Sequence, residues 1–275
     1  MILKLHTALF IFIILLALTF SERSAAQETI DTSYSMIAPP SVQKLIVHGK
    51  APVVTLQLSG FYNVGLLDLA AKDNTNFNKN DFVEGRNFGT RYGYGVGIMG
   101  KIALHKEGNM RLTISSLYNR MESNFIVGGS PDGKVGYNVF SWGLGVEDNF
   151  LPDRYFKPYV GVEFITSLIN GSAVLATDST DFNLDINSAV RLGFGLNMGF
   201  EYAVSNDFGF NLGMKLTHVN VLLRDSKESL NLNQTNLNDQ YVVPQIPYSG
   251  WKQFFFVSFS GGVNFYFGMK NKKGF

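Results

Sequence analysis

The sequence of 275 residues contains no cysteine. It therefore has no disulfide, no thiolate metal ligand, no cysteine nucleophile and no lipidated cysteine after a signal peptide. Charged residues are few and balanced, with 23 Lys and Arg against 22 Asp and Glu, which argues against a nucleic-acid partner and against an acidic disordered tail. Beyond residue 26, glycine and charged residues interrupt every apolar stretch, so no segment is long enough for a transmembrane helix.

The N-terminus has the pattern of a secretory signal peptide. Lys4 and His6 precede an apolar run at 8–20, and Ser24, Ala25 and Ala26 provide small residues for cleavage. The sequence therefore predicts a signal peptide over residues 1–26 that is removed from the mature protein. The alternative, a membrane anchor, is disfavoured because the run is shorter than the roughly 20 residues that cross a bilayer.

Alternation of large apolar residues with small or charged ones is the main positive signal. From Val190 to Tyr202, every second residue is bulky and apolar, and those between include Arg191, three glycines and Glu201. In a strand, such alternation makes one face apolar and the other small and polar. The pattern predicts eight strands: Val53–Val64, Gly89–Leu104, Met110–Met121, Lys134–Phe150, Phe156–Asn170, Ile186–Ala203, Phe208–Leu222 and Trp251–Met269.

The connections alternate in length. Those after strands two, four and six are short and turn-like, whereas those after one, three, five and seven are longer and polar. This is the hairpin pattern of a transmembrane β-barrel, with turns on the periplasmic side and loops outside. The predicted organisation is a signal at 1–26, a periplasmic arm at 27–52, a barrel at 53–269 and a tail at 270–275.

The two strand faces predict an apolar exterior and an ionic interior. The alternative is a soluble, lipocalin-like barrel around a ligand, but an eight-stranded barrel cannot enclose the roughly forty large apolar side chains of one face. The opposite face carries charges that we expect to pair in the lumen and to plug it partly or wholly. These are Arg91, Lys101, Arg111, Glu147, Glu163, Arg191, Glu201 and Lys215. Solute conduction by these charges is the alternative.

No motif predicts catalysis, a cofactor or a metal. The glycines of Gly93–Gly100 alternate within one strand, whereas a dinucleotide fingerprint needs a strand, a turn and a helix. Of the four histidines, His218 alone approaches the outer end, and it has the parity of lipid-facing residues. The loop aspartates have no calcium-loop spacing. We therefore predict that the protein is not an enzyme.

The signal peptide, the final strand Phe254–Phe267 and the terminal Phe275 carry a family resemblance. With the alternation, the chain resembles the small bacterial outer-membrane β-barrels, the outer membrane protein A-like and opacity-type group. The resemblance implies an all-β, eight-stranded antiparallel up-and-down barrel in the bacterial outer membrane. Its implied partners are outer-membrane lipid, lipopolysaccharide and the barrel assembly machinery, which reads a C-terminal aromatic residue. Either Phe267 or Phe275 could be that residue. Phe267 is favoured, because the six residues 269–274 intervene before Phe275.

These features favour a non-enzymatic surface protein whose long first and fourth loops bind an external ligand or support envelope integrity, since loops on a rigid scaffold commonly carry binding. Two alternatives stay open. One is a narrow porin-like channel or a transporter of small or apolar solutes. The other is an outer-membrane enzyme acting on lipid or peptide.

Overall fold

The computed structural model describes residues 51–70, 87–127, 130–176, 181–226, 233–241 and 250–268. The signal, the arm apart from residues 51 and 52, and the tail with Phe275 lie outside these residues. The strands are β1 Val54–Leu66, β2 Tyr92–Ala103, β3 Met110–Val127, β4 Ser130–Asn149, β5 Phe156–Ala176, β6 Asp181–Ala203, β7 Phe208–Leu222, β8 Gln234–Thr235 and β9 Phe255–Phe267. No helix among the described residues is long and apolar enough to span a membrane.

Eight long antiparallel strands close into a barrel. Each pairs with the next along the chain from β1 to β7, then β7 pairs with β9, and β9 returns to β1. The two-residue β8 lies parallel to β6 at Asp185 and Ile186. The predicted fold class, an eight-stranded antiparallel up-and-down barrel, is therefore confirmed.

The two ends of the barrel differ. At the turn end, residues 104–109, 150–155 and 204–207 connect the strands tightly, as predicted. The strands β3 to β6 are 18 to 23 residues long, whereas β1 has 13 residues and β2 has 12. The longer strands extend further at the opposite end, the loop end. Two segments expected to be loops, 122–133 and 171–185, are thus mostly strand. Their backbone groups continue the ladders of the hairpins β3–β4 and β5–β6.

A bulge interrupts the pairing of β6 with β7. The register runs from Phe194 opposite His218 directly to Leu192 opposite Leu222. On the other side of β7, the Val219 amide donates to the Phe254 carbonyl at 2.9 Å, so the pairing on the β9 side continues past the irregularity. An irregularity of this kind re-aims a side chain, and here it turns Asn220 into the lumen, where it is fully buried.

The exterior is apolar, as predicted. Among the described residues, 34 large apolar side chains are exposed. Aromatic rings form two belts, as amphipathic rings do at membrane interfaces. Phe156, Tyr202, Phe210 and Phe267 lie towards the turn end, and Tyr62, Tyr92, Tyr94 and Tyr118 lie towards the loop end.

The interior has two different halves. The turn-end half is polar and buries charged side chains, including Lys101, Arg111 and Glu201. The loop-end half is an apolar core to which Met121, Val139, Ile169 and other buried side chains contribute. The charges predicted for the lumen are therefore accompanied by an apolar core at the loop end, because the inward positions of β4 and β5 become apolar there.

Candidate functional site: a lumen closed at three heights

Four strands supply the turn-end cluster, which consists of Lys101, Arg111, Glu147 and Glu201. Lys101 Nζ lies 2.8 Å from Glu201 Oε1 and 3.0 Å from Glu147 Oε2. Arg111 Nη2 lies 2.7 Å from Glu201 Oε1 and also bonds Glu147 Oε1. Each carboxylate thus faces two cations, and all four side chains are almost completely buried. These ion pairs link four strands across the barrel interior.

The mid-barrel cluster centres on Glu163. Lys215 Nζ donates to its Oε2 at 2.6 Å, Ser115 Oγ donates to the same oxygen at 3.0 Å, and Asn197 Nδ2 donates to Oε1 at 2.7 Å. These bonds come from three different strands. They satisfy both oxygens of a carboxylate that would otherwise be costly to bury.

Between these two clusters the lumen retains very little free space. A cavity of about 20 Å³ lies beside Gln57, Glu147, Tyr159 and Lys215. That is room for about one water molecule, since a water needs at least 10–15 Å³ of this kind of volume. The turn-end half is therefore filled by its own side chains.

The third closure is a plug, the segment 233–241 between β7 and β9, which lies inside the loop end. Asp239 is fully buried and accepts Arg191 Nε at 2.7 Å, Asn220 Nδ2 at 2.7 Å and the Asp225 amide at 3.0 Å. Arg191 Nη2 also donates to the Leu237 carbonyl at 3.1 Å. One carboxylate therefore fixes the plug to β6 and β7.

Asn220 holds the next part of the chain against the plug. Its Nδ2 donates to the Lys252 carbonyl at 2.9 Å, and its Oδ1 accepts the Phe254 amide at 2.7 Å. The Lys252 amide in turn donates to the Asp239 carbonyl at 2.7 Å. Without the bulge in β7, this asparagine would face outwards and none of these bonds could form.

Apolar side chains seal the space around the plug. Leu237 of the plug packs with Leu69 and Phe88 of the first loop and with Phe254, all of them almost completely buried. The Phe88 ring centroid lies 5.1 Å from that of Phe254 and 6.2 Å from that of Tyr137. The first and fourth loops thus enter the barrel and occupy its mouth, at least in their described parts.

Lys252 is the unusual charge of this region. Its side chain is buried and its Nζ lies 4.8 Å from the centre of the Phe88 ring. Burial lowers the pKa of Lys252 to about 8, against the opposing attraction of Asp239 and Asp68. Burial also raises the pKa of Tyr241, with the hydrogen bond to Asp68 acting in the same direction. The plug is therefore built around groups whose charge is costly.

The structure brings seven of the eight predicted lumen charges into these three places. Lys101, Arg111, Glu147 and Glu201 form the turn-end cluster, Glu163 and Lys215 the mid-barrel cluster, and Arg191 binds the plug. Arg91 does not join them. It is exposed just before β2, with its guanidinium 5.6 Å from the Tyr92 ring centre. Its parity is inward, but its side chain is exposed.

Sequence reasoning missed Asp239, Asn220 and Lys252. Asp239 lies in a stretch rich in Asn and Asp that predicts an exposed loop, and nothing local distinguishes it from neighbouring acids. Asn220 has outward parity and faces inwards only because of the bulge. An isolated apolar Leu237 within the polar stretch was the available signal for an inserted loop.

Two other predicted positions are described. Phe267, the favoured assembly residue, is the last residue of β9 and pairs with Val54 of β1. The ring of His218 contacts that of Phe255 edge to face at 5.7 Å between centroids. Within the described ranges, no three His, Asp or Glu side chains are grouped so as to hold a metal ion.

No protein-family model matches the chain, and no curated protein matches it. Solved structures with a similar fold include Neisserial surface protein A (16% identity, TM-score 0.44, covering 79% of this chain and 99% of that one). Another is the outer membrane protein OprG from Pseudomonas aeruginosa (12% identity, TM-score 0.40, covering 80% of this chain and 99% of that one). A third is the outer membrane protease OmpT from Escherichia coli (10% identity, TM-score 0.37, covering 78% of this chain and 96% of that one). At these values the likeness carries no argument about function.

The chain's own strands define its class. It is a closed eight-stranded β-barrel with an apolar exterior, two aromatic belts and a filled polar-to-apolar interior. This is the architecture of a small outer-membrane β-barrel.

Proposed function

We propose that this chain is a non-enzymatic protein of the bacterial outer membrane that acts through its external surface and does not conduct solutes. The observation that carries the proposal is the closure of the lumen at three heights, by the turn-end cluster, the mid-barrel cluster and the plug. A conducting barrel needs a continuous polar path, and the apolar core around Phe88 and Phe254 interrupts it.

The proposed location follows from the exterior. An exterior on which 34 large apolar side chains of the described residues are exposed, most of them on the strands, would associate in water. A bilayer solvates that wall, and the closed barrel leaves no unpaired strand edge within it. The hairpins β3–β4 and β5–β6 then project beyond the membrane, where they offer the surface for an external ligand or for contacts that support the envelope.

Epitope insertion tests the location and orientation. An epitope inserted between Gly128 and Gly129, in the sequence between β3 and β4, should be labelled by antibody on intact cells. The matched control is the same epitope after Glu107 in the turn-end connection, which should be labelled only after the outer membrane is permeabilised. The reverse pattern, or labelling of neither in a folded protein, would contradict the proposed topology.

Planar-bilayer recording tests the closure. The refolded mature protein should give no steady conductance steps. Regular ion-selective steps would overturn the proposal in favour of the porin-like alternative. The same preparation can be assayed for turnover of phospholipid or peptide. Turnover that is lost in His218→Ala would favour the alternative of an outer-membrane enzyme.

A further inference from the structure

A groove crosses the outer wall of the barrel over β1 to β4. It has a volume of about 560 Å³ and is bordered by Leu58, Val96, Ile98, Tyr118 and Phe140. Its floor is open because the outward positions there carry small residues. A Cβ added to Gly60 would meet no described atom within 4 Å. Gly261, opposite Gly60 on β9, also faces outwards.

A polar row lies immediately above this groove. The groove row runs across the strands as Gly60, Val96, Tyr118 and Phe140, and the next outward row towards the loop end is Tyr62, Tyr94, Arg120, Asn138 and Asn170. Successive outward residues of a strand are about 7 Å apart. The apolar groove therefore ends within one such step of an arginine and two amides.

Hydrogen bonds hold this polar row in place. Tyr118 Oη and Arg120 Nη1 both donate to Asn138 Oδ1 at 2.9 Å, and Asn138 Nδ2 donates to Asn170 Oδ1 at 2.9 Å. The row links the top of the groove directly to the guanidinium, since Tyr118 belongs to both.

The rim above the groove is positive. Arg120 Nη2 and Lys134 Nζ share the single carboxylate of Glu122, at 3.1 Å and 2.6 Å. Two cations against one anion leave an excess positive charge, and the Lys134 side chain is about half exposed. Exposed Arg91 adds a further cation at the end of the adjacent strand. Arginine and lysine are the side chains that bind phosphate.

We propose that a lipopolysaccharide molecule docks on this face, with one acyl chain in the groove and a phosphate at Arg120 and Lys134. The inference rests on the proposed location, which sets the loop end in the outer leaflet. The groove and the rim together supply both parts of a binding site for an amphiphile, one apolar and one positive, on one face of the barrel. A second copy of the chain fits less well, because an isologous contact would bring two positive rims together.

Titration of purified lipopolysaccharide into the mature protein, refolded in zwitterionic micelles, tests this site. Arg120→Gln should weaken binding by about tenfold, the effect of losing one charge-assisted hydrogen bond. Gly60→Leu should fill the groove floor and weaken binding by a similar factor, about tenfold. Phosphatidylcholine should not compete with lipopolysaccharide for the site.

Each variant has a matched control. Gly100→Leu places the same side chain on another outward glycine, where the nearest described atom to a Cβ is 4.0 Å away and which does not border the groove. Arg154→Gln removes a cation at the turn end. Both controls should bind lipopolysaccharide as the wild type does.

Three outcomes would overturn the inference. The first is equal binding by variants and controls. The second is full competition by phosphatidylcholine, which would make the groove an ordinary lipid contact. The third is a dimer of the wild type that Gly60→Leu converts to monomer, which would make a second copy the occupant. If any of these occurs while the epitope and conductance results hold, the proposed function stands and the lipid site alone fails.

Discussion

Glu201 illustrates how the lumen depends on single side chains. It lies 2.8 Å from Lys101 and 2.7 Å from Arg111, and it has no exposed surface. If its charge is removed, two buried cations share Glu147 alone. Breaking a buried ion pair from one side leaves an uncompensated charge and is far more costly than breaking an exposed pair.

Glu201→Gln should therefore lower the free energy of unfolding by about 3–5 kcal/mol. Urea unfolding in micelles, followed by the gel mobility of unheated samples, measures the change. Asp153→Asn is the control, because its pair with Arg154 spans 4.0 Å and is half exposed, and its effect should be at most about 1 kcal/mol. Equal effects of the two variants would mean that the ion pairs of the turn-end cluster do not stabilise the barrel.

Lys252 gives a prediction about pH at the plug. Its pKa of about 8 in the folded protein lies below the ordinary lysine value of 10.5. The unfolded chain therefore binds more protons between these pH values, and stability rises with pH across that window. Below pH 8 the residue is charged in both states, so the full cost of its burial is present.

Lys252→Met should consequently be more stable than the wild type at pH 7. The difference should shrink as pH rises from 8 to 10.5, by at most about 1.4 kcal/mol per pH unit. Unfolding of both proteins at several pH values measures it, and the other titratable groups cancel in the difference. A gap that does not change with pH would show that Lys252 keeps an ordinary pKa.

Within single strands, the space around a glycine depends on whether the glycine faces the lumen or the exterior. A Cβ on inward Gly193, beside the bulge, would lie 1.9 Å from the His218 carbonyl oxygen and 2.6 Å from that of Val219. Backbone atoms cannot move aside without breaking the ladder. Outward Gly60 has open space instead.

Gly193→Ala should therefore destabilise the barrel by about 1–3 kcal/mol, the usual cost of overpacking. Gly60→Ala should be neutral or slightly stabilising, because alanine restricts the unfolded chain more than glycine does. The folded fraction on unheated gels compares them directly. A loss in Gly60→Ala as large as in Gly193→Ala would contradict the assignment of the two faces.

The elements also show how far the sequence alone could lead. Side-chain alternation is a local property, so it predicted all eight wall strands and located β7 at its observed bounds. It missed the strand extensions at 122–133 and 171–185, because the polar residues there are typical of loops. It could not reveal the plug, because the burial of Asp239 depends on Arg191 and Asn220, which come near it only when the barrel closes.

At the scale of the whole molecule, the closures are arranged in series. The plug and its apolar core occupy the loop end, and the two ionic clusters occupy the rest of the lumen. The plug is a separate segment held by the Asp239 carboxylate, by the pairing of β8 with β6 and by the packing of Leu237. The two ionic clusters are side chains of the barrel wall itself. Opening one closure therefore leaves the barrel blocked by the next.

This arrangement predicts that Asp239→Ala should loosen the plug without opening a pore. Hydrogen exchange at the Asp225 amide should become faster, because alanine removes its carboxylate acceptor. The amides of Asp239 and Lys252, whose backbone bonds lie at the same position, should follow as the plug loosens. Planar bilayers should still show no steady steps. The control is Asn238→Ala, whose side chain accepts the nearby Gln240 amide and whose exchange should match the wild type. Steady conductance in Asp239→Ala would mean that the plug alone closes the lumen and that the ionic clusters transmit ions.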